Sequence, residues 1–257
     1  MIKKIKRHLI NNMPDKLFAF MQNIIWSISA KYPSIKLKKE KDVWSAIYKA
    51  EKIYFPTPRT AILGHFLETQ SSVFEKEFII NDGDIVIDIG AYVGSFSLLA
   101  TRRKANLIIA IEPNPYSFKC LKLNTQLNDN IICKNMGVWN TKENLIFFID
   151  KKYPIADSLV IPPINHEKIN IKVDTLDNII NEYKLQTIDF VKMNIEGAEI
   201  EALQGMDKTL KITKKIVIDA HHVRENELTI PKVLELLERY GFKLMLNNDT
   251  GTVYGHK

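Results

Sequence analysis

Residues 84–111 constrain the fold more than any other stretch. A β-branched run, Ile85 to Ile89, meets Gly90 and Gly94, then a helix-like segment from Phe96 to Arg103, then a second apolar run from Leu107 to Ile111. Two apolar runs joined by a helix predict parallel strands with a crossover between them. The alternation continues along the chain. Pro115 to Leu127 reads as a helix with proline early in its first turn, and Ile131 to Met136 as a third strand. Asp174 or Thr175 caps a helix to about Tyr183. Ile188 to Ile195 is a strand, Ala198 to Leu210 a helix, Ile216 to Ala220 a strand and Pro231 to Tyr240 a helix. Phe242 to Leu246 and Thr252 to Tyr254 form a final hairpin around Asn247–Gly251. This order predicts an α/β, doubly wound, mostly parallel seven-stranded sheet with a C-terminal antiparallel hairpin. In such sheets ligands sit beyond the carboxyl ends of the strands.

Ahead of this body, residues 1–75 read as a basic helical and β appendage, and 76–257 as the main domain. Leu17, Phe20, Met21, Ile24, Ile25 and Ile28 recur at helical spacing. Such a helix packs on the main domain or a partner, or lies on a membrane surface. Residues 33–62 read as short strands and turns, and 63–78 as a helix. Residues 138–173 read as irregular, with strand-like pieces at Leu145–Ile149 and Ile169–Val173.

Charge is uneven. Residues 1–52 hold twelve Lys/Arg against four Asp/Glu, whereas the rest holds 24 against 26. The basic arm is either a solvated, solubilising face or an attractor of nucleic acid, anionic lipid or an acidic partner. No run reaches the ~18 apolar residues of a membrane span, and no signal peptide is expected. The two cysteines, Cys120 and Cys133, lack zinc-ligand spacing and suit free thiols in a reducing cytoplasm.

After the first strand comes Asp88-Ile89-Gly90-Ala91-Tyr92-Val93-Gly94-Ser95. A dinucleotide site prefers a second glycine where Ala91 stands, and would not place a carboxylate, Asp88, near its phosphates. A ligand bearing an ammonium and a sulfonium fits better, which points to S-adenosylmethionine. Glu112 ends the second strand, where a carboxylate accepts hydrogen bonds from ribose hydroxyls. Asn135 and Met136 follow the third strand, either as contacts to an adenine or as a plain strand exit. The donor-binding set is therefore Asp88, Gly90, Ala91, Tyr92, Gly94, Ser95, Glu112, Asn114, Asn135, Met136 and Asn194.

At the fourth strand, Lys192, Asn194 and Glu196 face one side while Val191, Met193 and Ile195 face the other. Three polar groups together at a strand end are costly unless used by a ligand or satisfied in a network. The chain resembles the FkbM family of methyltransferases. Matching pieces are Gly83–Ser97, Glu112–Phe118 with Asn124 and Asn128, Thr175–Asp177, and Lys192–Glu199 with Leu203 and Gly205, within about residues 74–222. The resemblance implies a class I (Rossmann-like) methyltransferase that methylates a hydroxyl oxygen, often on a sugar or polyketide-type product. Two positions depart from the family: Asn194 stands for its usual Asp, and Asp219 for its usual Glu.

Transfer to an alcohol requires a base. The strand ends offer His221, His222, Glu196 and Asp219, and His221 is favoured because it directly follows the fifth strand. Catalysis is thus expected of His221, Glu196 and Lys192. No metal is assigned, since Asn194 and Asp219 supply too few carboxylates. The expected acceptor is a carbohydrate, glycolipid or small hydroxylated metabolite. The alternatives are a tRNA base methyltransferase that uses the basic arm, and a non-catalytic binding protein on the same scaffold.

Overall fold

The computed structural model describes residues 13–27, 35–48, 51–61, 74–164, 166–224 and 226–257. Helix α1 (Asp15–Ser27) precedes a three-stranded antiparallel meander of β1 (Lys36–Glu40), β2 (Val43–Tyr48) and β3 (Glu51–Phe55), and one helical turn, α2 (Pro58–Ala61). The helical period expected of α1 is present, but the apolar stripe points away from the protein. Leu17, Phe20, Met21, Ile24 and Ile25 are exposed, whereas Phe18 and Ala19 are buried. Polar partners set that rotation. The Asn23 amide donates to the Leu37 carbonyl at 3.0 Å and accepts from its N–H at 2.7 Å. The buried Arg59 guanidinium lies 4.6 Å over Phe18 and 3.3 Å from Asp15. Ile28 lies outside the described residues.

The meander packs on the body. Leu37, Val43, Trp44 and Phe55 share a core with Val93 and Cys120. Asn124 accepts from the Tyr54 N–H and donates to the carbonyls of Tyr54 and Val93. The boundary expected at residue 75 adjoins residues 62–73, which lie outside the described set, as does most of the helix expected over 63–78.

The body follows the expected alternation: β4 (Ile85–Ile89), α3 (Ser95–Arg102), β5 (Leu107–Ile111), α4 (Pro115–Thr125), β6 (Ile131–Lys134), β7 (Gly137–Val138), β8 (Glu143–Ile149), β9 (Glu167–Asp174), α5 (Leu176–Asn181), β10 (Ile188–Met193), α6 (Glu199–Gln204), α7 (Asp207–Ile212), β11 (Thr213–Asp219), β12 (Val223–Arg224), β13 (Glu227–Leu228), α8 (Ile230–Glu238), β14 (Lys243–Asn247) and β15 (Thr252–His256). Seven strands form one sheet in the order β14-β15-β11-β10-β4-β5-β6. β6, β5, β4, β10 and β11 are parallel, and β15 runs antiparallel between β11 and β14. The chain winds outward from β4 in one direction and then returns to β10 on its other side. The crevice where the winding reverses lies at the carboxyl ends of β4 and β10.

The period-2 pattern of the strands divides the core. Ile87, Ile89, Ile109 and Ile111 pack on one face, while Val86, Ile108, Phe190, Val217 and Tyr254 pack on the other. Residues 138–173 are more ordered than expected. β8 and β9 pair over seven residues, with β7 added parallel to β9. The helix expected over Ala198–Leu210 is two helices with a break at Gly205. A Cβ there would lie 2.1 Å from the Trp139 carbonyl oxygen, so the chain turns where the insertion presses on it. The Asp177 carboxylate then accepts from the N–H groups of Lys208 and Thr209 and opens α7.

Candidate active site

Lys192 forms the crevice floor and is held from below by a buried ion pair with Asp88. Lys192 and Asp88 are register partners on adjacent parallel strands, so their side chains leave the same face. Lys192 Nζ lies 3.0 Å from Asp88 Oδ1 and 2.7 Å from the Gly90 carbonyl. The second Asp88 oxygen accepts from Ser97 Oγ at 2.7 Å. Asp88 is fully buried, so it holds Lys192 and α3 from beneath. Lys192 in turn fixes the backbone of the glycine turn. Gly90, at φ 75°, passes so close to β10 that a Cβ would lie 1.9 Å from the Asn194 carbonyl oxygen.

Glu112 forms the wall beside that floor and is 6 % exposed. Its two oxygens accept from the N–H groups of Asn114 and Tyr92, each at 2.8 Å. A carboxylate has about four acceptor positions, which leaves two for ligand hydroxyls. Facing it is Asp157, carried in by the loop between β8 and β9. The buried Asp157 carboxylate accepts from the N–H of Asp150 at 2.7 Å and from the Asn114 side-chain amide. Burial pushes Glu112 up to about 7 and Asp157 up to about 8, against the pull of those hydrogen bonds.

Those shifts fix how stability depends on pH. Above pH 5 the folded protein keeps protons on Glu112 and Asp157 that the unfolded chain releases, so stability falls as pH rises toward 8. The thermal midpoint of the protein, with no donor added, is expected to drop by several degrees between pH 5 and pH 8. That corresponds to at least ~1.4 kcal/mol, the worth of one pKa unit. Asp157→Asn should flatten the slope. A midpoint that climbs over this window would mean that both carboxyls ionise freely.

The opposite rim is built by the turn after β10. Glu196 adopts φ 53° and Gly197 φ 103°. Ser158 Oγ donates to the Glu196 carbonyl at 2.6 Å and ties this turn to the insertion. The Glu196 side chain lines the crevice, and its Oε2 lies 3.2 Å from His222 Nε2. Behind it, His222 Nδ1 lies 3.5 Å from Oε1 of the fully buried Glu199. Burial alone would lower the His222 pKa, but the Glu196 and Glu199 carboxylates outweigh it and raise it to about 10. His222 is therefore an imidazolium between two carboxylates. No hydrogen bond reaches Glu196 Oε1 from the described residues.

The crevice thus gathers Gly90, Ala91, Tyr92, Ser95, Glu112, Met136, Lys192, Asn194 and Glu196 on one wall system. The other expected residues lie off the crevice or serve other contacts. His221 is 54 % exposed at its side chain, pairs with Asp219 at 2.5 Å and does not line the crevice. The histidine coupled to the site is its neighbour, His222, because the chain turns at the end of β11. Lys192 spends its protons on Asp88 and Gly90, which suits positioning rather than proton transfer. Asp88 lies below the floor and does not line the crevice. Asn114 caps α4, accepting from the N–H of Tyr116 at 2.7 Å. Gly94 sits beneath Leu121, which a Cβ would meet at 2.7 Å. The exposed Asn135 amide donates to the carbonyls of Glu112 and Pro113, so it braces the strand exits from outside. Sequence reasoning missed Asp157, Ser158 and the part played by Glu199. A lone carboxylate after the apolar Pro154-Ile155-Ala156 was the one available signal for Asp157.

The wall also meets what S-adenosylmethionine requires. Asn194 Oδ1 is a buried acceptor on the crevice with no partner among the described residues, an arrangement that suits an ammonium. Glu112 offers the acceptors a ribose needs. Among the described residues no group of three or more His, Cys, Asp or Glu is arranged to hold a metal ion. No described helix is long and apolar enough to cross a membrane.

Comparison with known proteins agrees with this chemistry. The methyltransferase sdnD of Sordaria araneosa is 24% identical over 194 residues, 62% of this chain and 73% of its own length. The hexuronic acid methyltransferase AglP of Haloferax volcanii is 25% identical over 141 residues, 54% of this chain and 57% of its own. The 31-O-demethyl-FK506 methyltransferase FkbM of Streptomyces tacrolimicus is 23% identical over 206 residues, 66% of this chain and 76% of its own. The sequence profile of the methyltransferase FkbM domain matches residues 88–244, more than half of the chain. The protein belongs to the FkbM family of methyltransferases, enzymes whose methyl donor is S-adenosylmethionine.

Proposed function

We propose that the protein methylates a hydroxyl oxygen of a carbohydrate, glycolipid or small hydroxylated metabolite, with Glu196 as the base. One observation carries the reading: a carboxylate on the crevice wall is oriented through one oxygen by the buried His222, and its other oxygen has no hydrogen bond from the described residues. S-adenosylmethionine supplies a methyl carbon already activated by its sulfonium. Glu112 would accept from the ribose hydroxyls, and Asn194 Oδ1 from the ammonium of the donor. An alcohol is a weak nucleophile at neutral pH, so its proton must leave as it attacks. Glu196 Oε1 receives that proton while the oxygen–carbon bond forms and the carbon–sulfur bond breaks. His222 is too basic to take the proton itself, and instead holds Glu196 in place. Two relatives named above are called after oxygen-rich acceptors, a hexuronic acid and 31-O-demethyl-FK506, which supports the same class here. The two free cysteines fit a cytoplasmic site of action.

The test is transfer of labelled methyl from S-adenosylmethionine to a glycan and glycolipid extract, with a parallel incubation on tRNA, followed by mass spectrometry of the product. Label on a sugar or metabolite oxygen is expected. Label in tRNA would replace the hydroxyl acceptor with a base, and no transfer to any fraction, with the donor bound, would favour a binding role.

A further inference from the structure

The outward stripe of α1 is an apolar surface that the described residues leave exposed. Leu17 is 48 % exposed, Phe20 63 %, Met21 43 %, Ile24 49 % and Ile25 50 %. They follow the i, i+3, i+4, i+7, i+8 spacing of one helical face. That face is not spare core. The other side of α1 is committed to the protein through Phe18, Ala19 and the two-way hydrogen bonding between Asn23 and Leu37. Large apolar side chains scattered singly on a surface need no explanation, but five in one stripe do.

Charge decides what covers it. The sequence from residue 1 to residue 16 carries Lys3, Lys4, Lys6, Arg7 and Lys16 against Asp15 alone. An apolar helical face preceded in the sequence by a cluster of cations fits a bilayer surface with anionic headgroups, where apolar side chains enter the acyl boundary and cations meet phosphates. A second copy of the chain fits less well. The stripe offers on the order of 500 Å², short of the roughly 800 Å² per partner of a stable interface, and two like-charged segments would be brought together.

The helix is also linked to the crevice. Arg59 stacks over Phe18 at 4.6 Å and over Tyr153 at 5.8 Å, and Tyr153 directly precedes Pro154 and Ile155 of the crevice wall. We infer that the outward face of α1, whose preceding sequence is basic, is a peripheral membrane-docking surface for anionic lipid bilayers. It does not depend on which acceptor the enzyme uses.

The test is co-sedimentation of the full chain with vesicles of phosphatidylcholine, with and without 30% phosphatidylglycerol. Binding to the anionic vesicles is expected to exceed binding to the neutral ones at least tenfold at low salt and to weaken in high salt. The double variant Phe20→Glu, Ile24→Glu changes only exposed positions, and is expected to lose at least tenfold in partitioning with its thermal midpoint and methyl-donor affinity retained. Failure of the wild-type chain to bind anionic vesicles overturns the proposal. So does binding that the double variant leaves intact. A dimer in sedimentation velocity that the double variant converts to monomer would hand the stripe to a second copy instead, and equally overturn it.

Discussion

Glu196→Gln is expected to lower kcat at least a hundredfold while leaving donor affinity within about twofold of wild type. The substitution keeps the shape of the side chain and removes only its capacity to take a proton. General-base assistance contributes about 10²–10⁴, and neither nearby histidine can replace it. His222 is charged, with its pKa raised to about 10, and His221 is exposed and bound to Asp219 away from the crevice. His222→Gln should cost less, about tenfold, because Glu196 stays but loses its orientation; its pH–rate profile should change shape as well as height. His221→Ala should be close to wild type. Single-turnover measurement with labelled donor separates these steps from product release. A Glu196→Gln enzyme that kept more than a tenth of its turnover would exclude Glu196 as the base.

The contrast between His221 and His222 shows where sequence reasoning stops. Strand polarity located the crevice, because the β-branched runs and the glycine turn at Gly90 determine the direction and order of β4, β5 and β10. The same pattern pointed to Lys192, Asn194 and Glu196 together, although β10 ends at Met193 and the turn after it, not the period of two, brings Asn194 and Glu196 to the crevice. It could not say which of two adjacent histidines turns inward once β11 has ended, since beyond a strand the period of two no longer applies. Asp88 raises a different difficulty. From sequence alone a carboxylate at the end of β4 suits a ligand contact, but in the fold it is the register partner of Lys192. Only the parallel pairing of strands 104 residues apart in sequence reveals that partner. Asp157 lay in a stretch that read as irregular, and β8 and β9 must pair before it reaches Glu112. In α1 the periodicity was legible and its direction was not. An apolar stripe marks a face that prefers to leave water, but the hydrogen bonds of Asn23 decided which face met the protein.

Lys192→Met is expected to destabilise the fold by about 3–5 kcal/mol, the usual cost of removing one partner from a buried ion pair. Lys192 is 4 % exposed and Asp88 fully buried, so the aspartate would be left as a buried charge without its ammonium. Among the described residues Asp88 would keep only the Ser97 hydroxyl as a donor. Adding Asp88→Asn removes the stranded charge, and the double variant should recover about half of the loss. Urea unfolding of the wild type, both single variants and the double variant closes the cycle. A double variant as unstable as the sum of its parts would mean that the two groups do not act as a pair. Function should not recover with stability. The Gly90 carbonyl loses its 2.7 Å hydrogen bond from Lys192 in either background, although the turn that follows β4 keeps the N–H groups of Gly90 and Ala91 on the Ile111 carbonyl, the Tyr92 N–H on Glu112 and the Val93 carbonyl on Asn124. Donor affinity measured by calorimetry should therefore stay at least tenfold below wild type in the double variant. Stability restored without affinity would separate the two duties of Lys192, neutralising Asp88 and shaping the glycine turn, whereas recovery of both would confine it to the first.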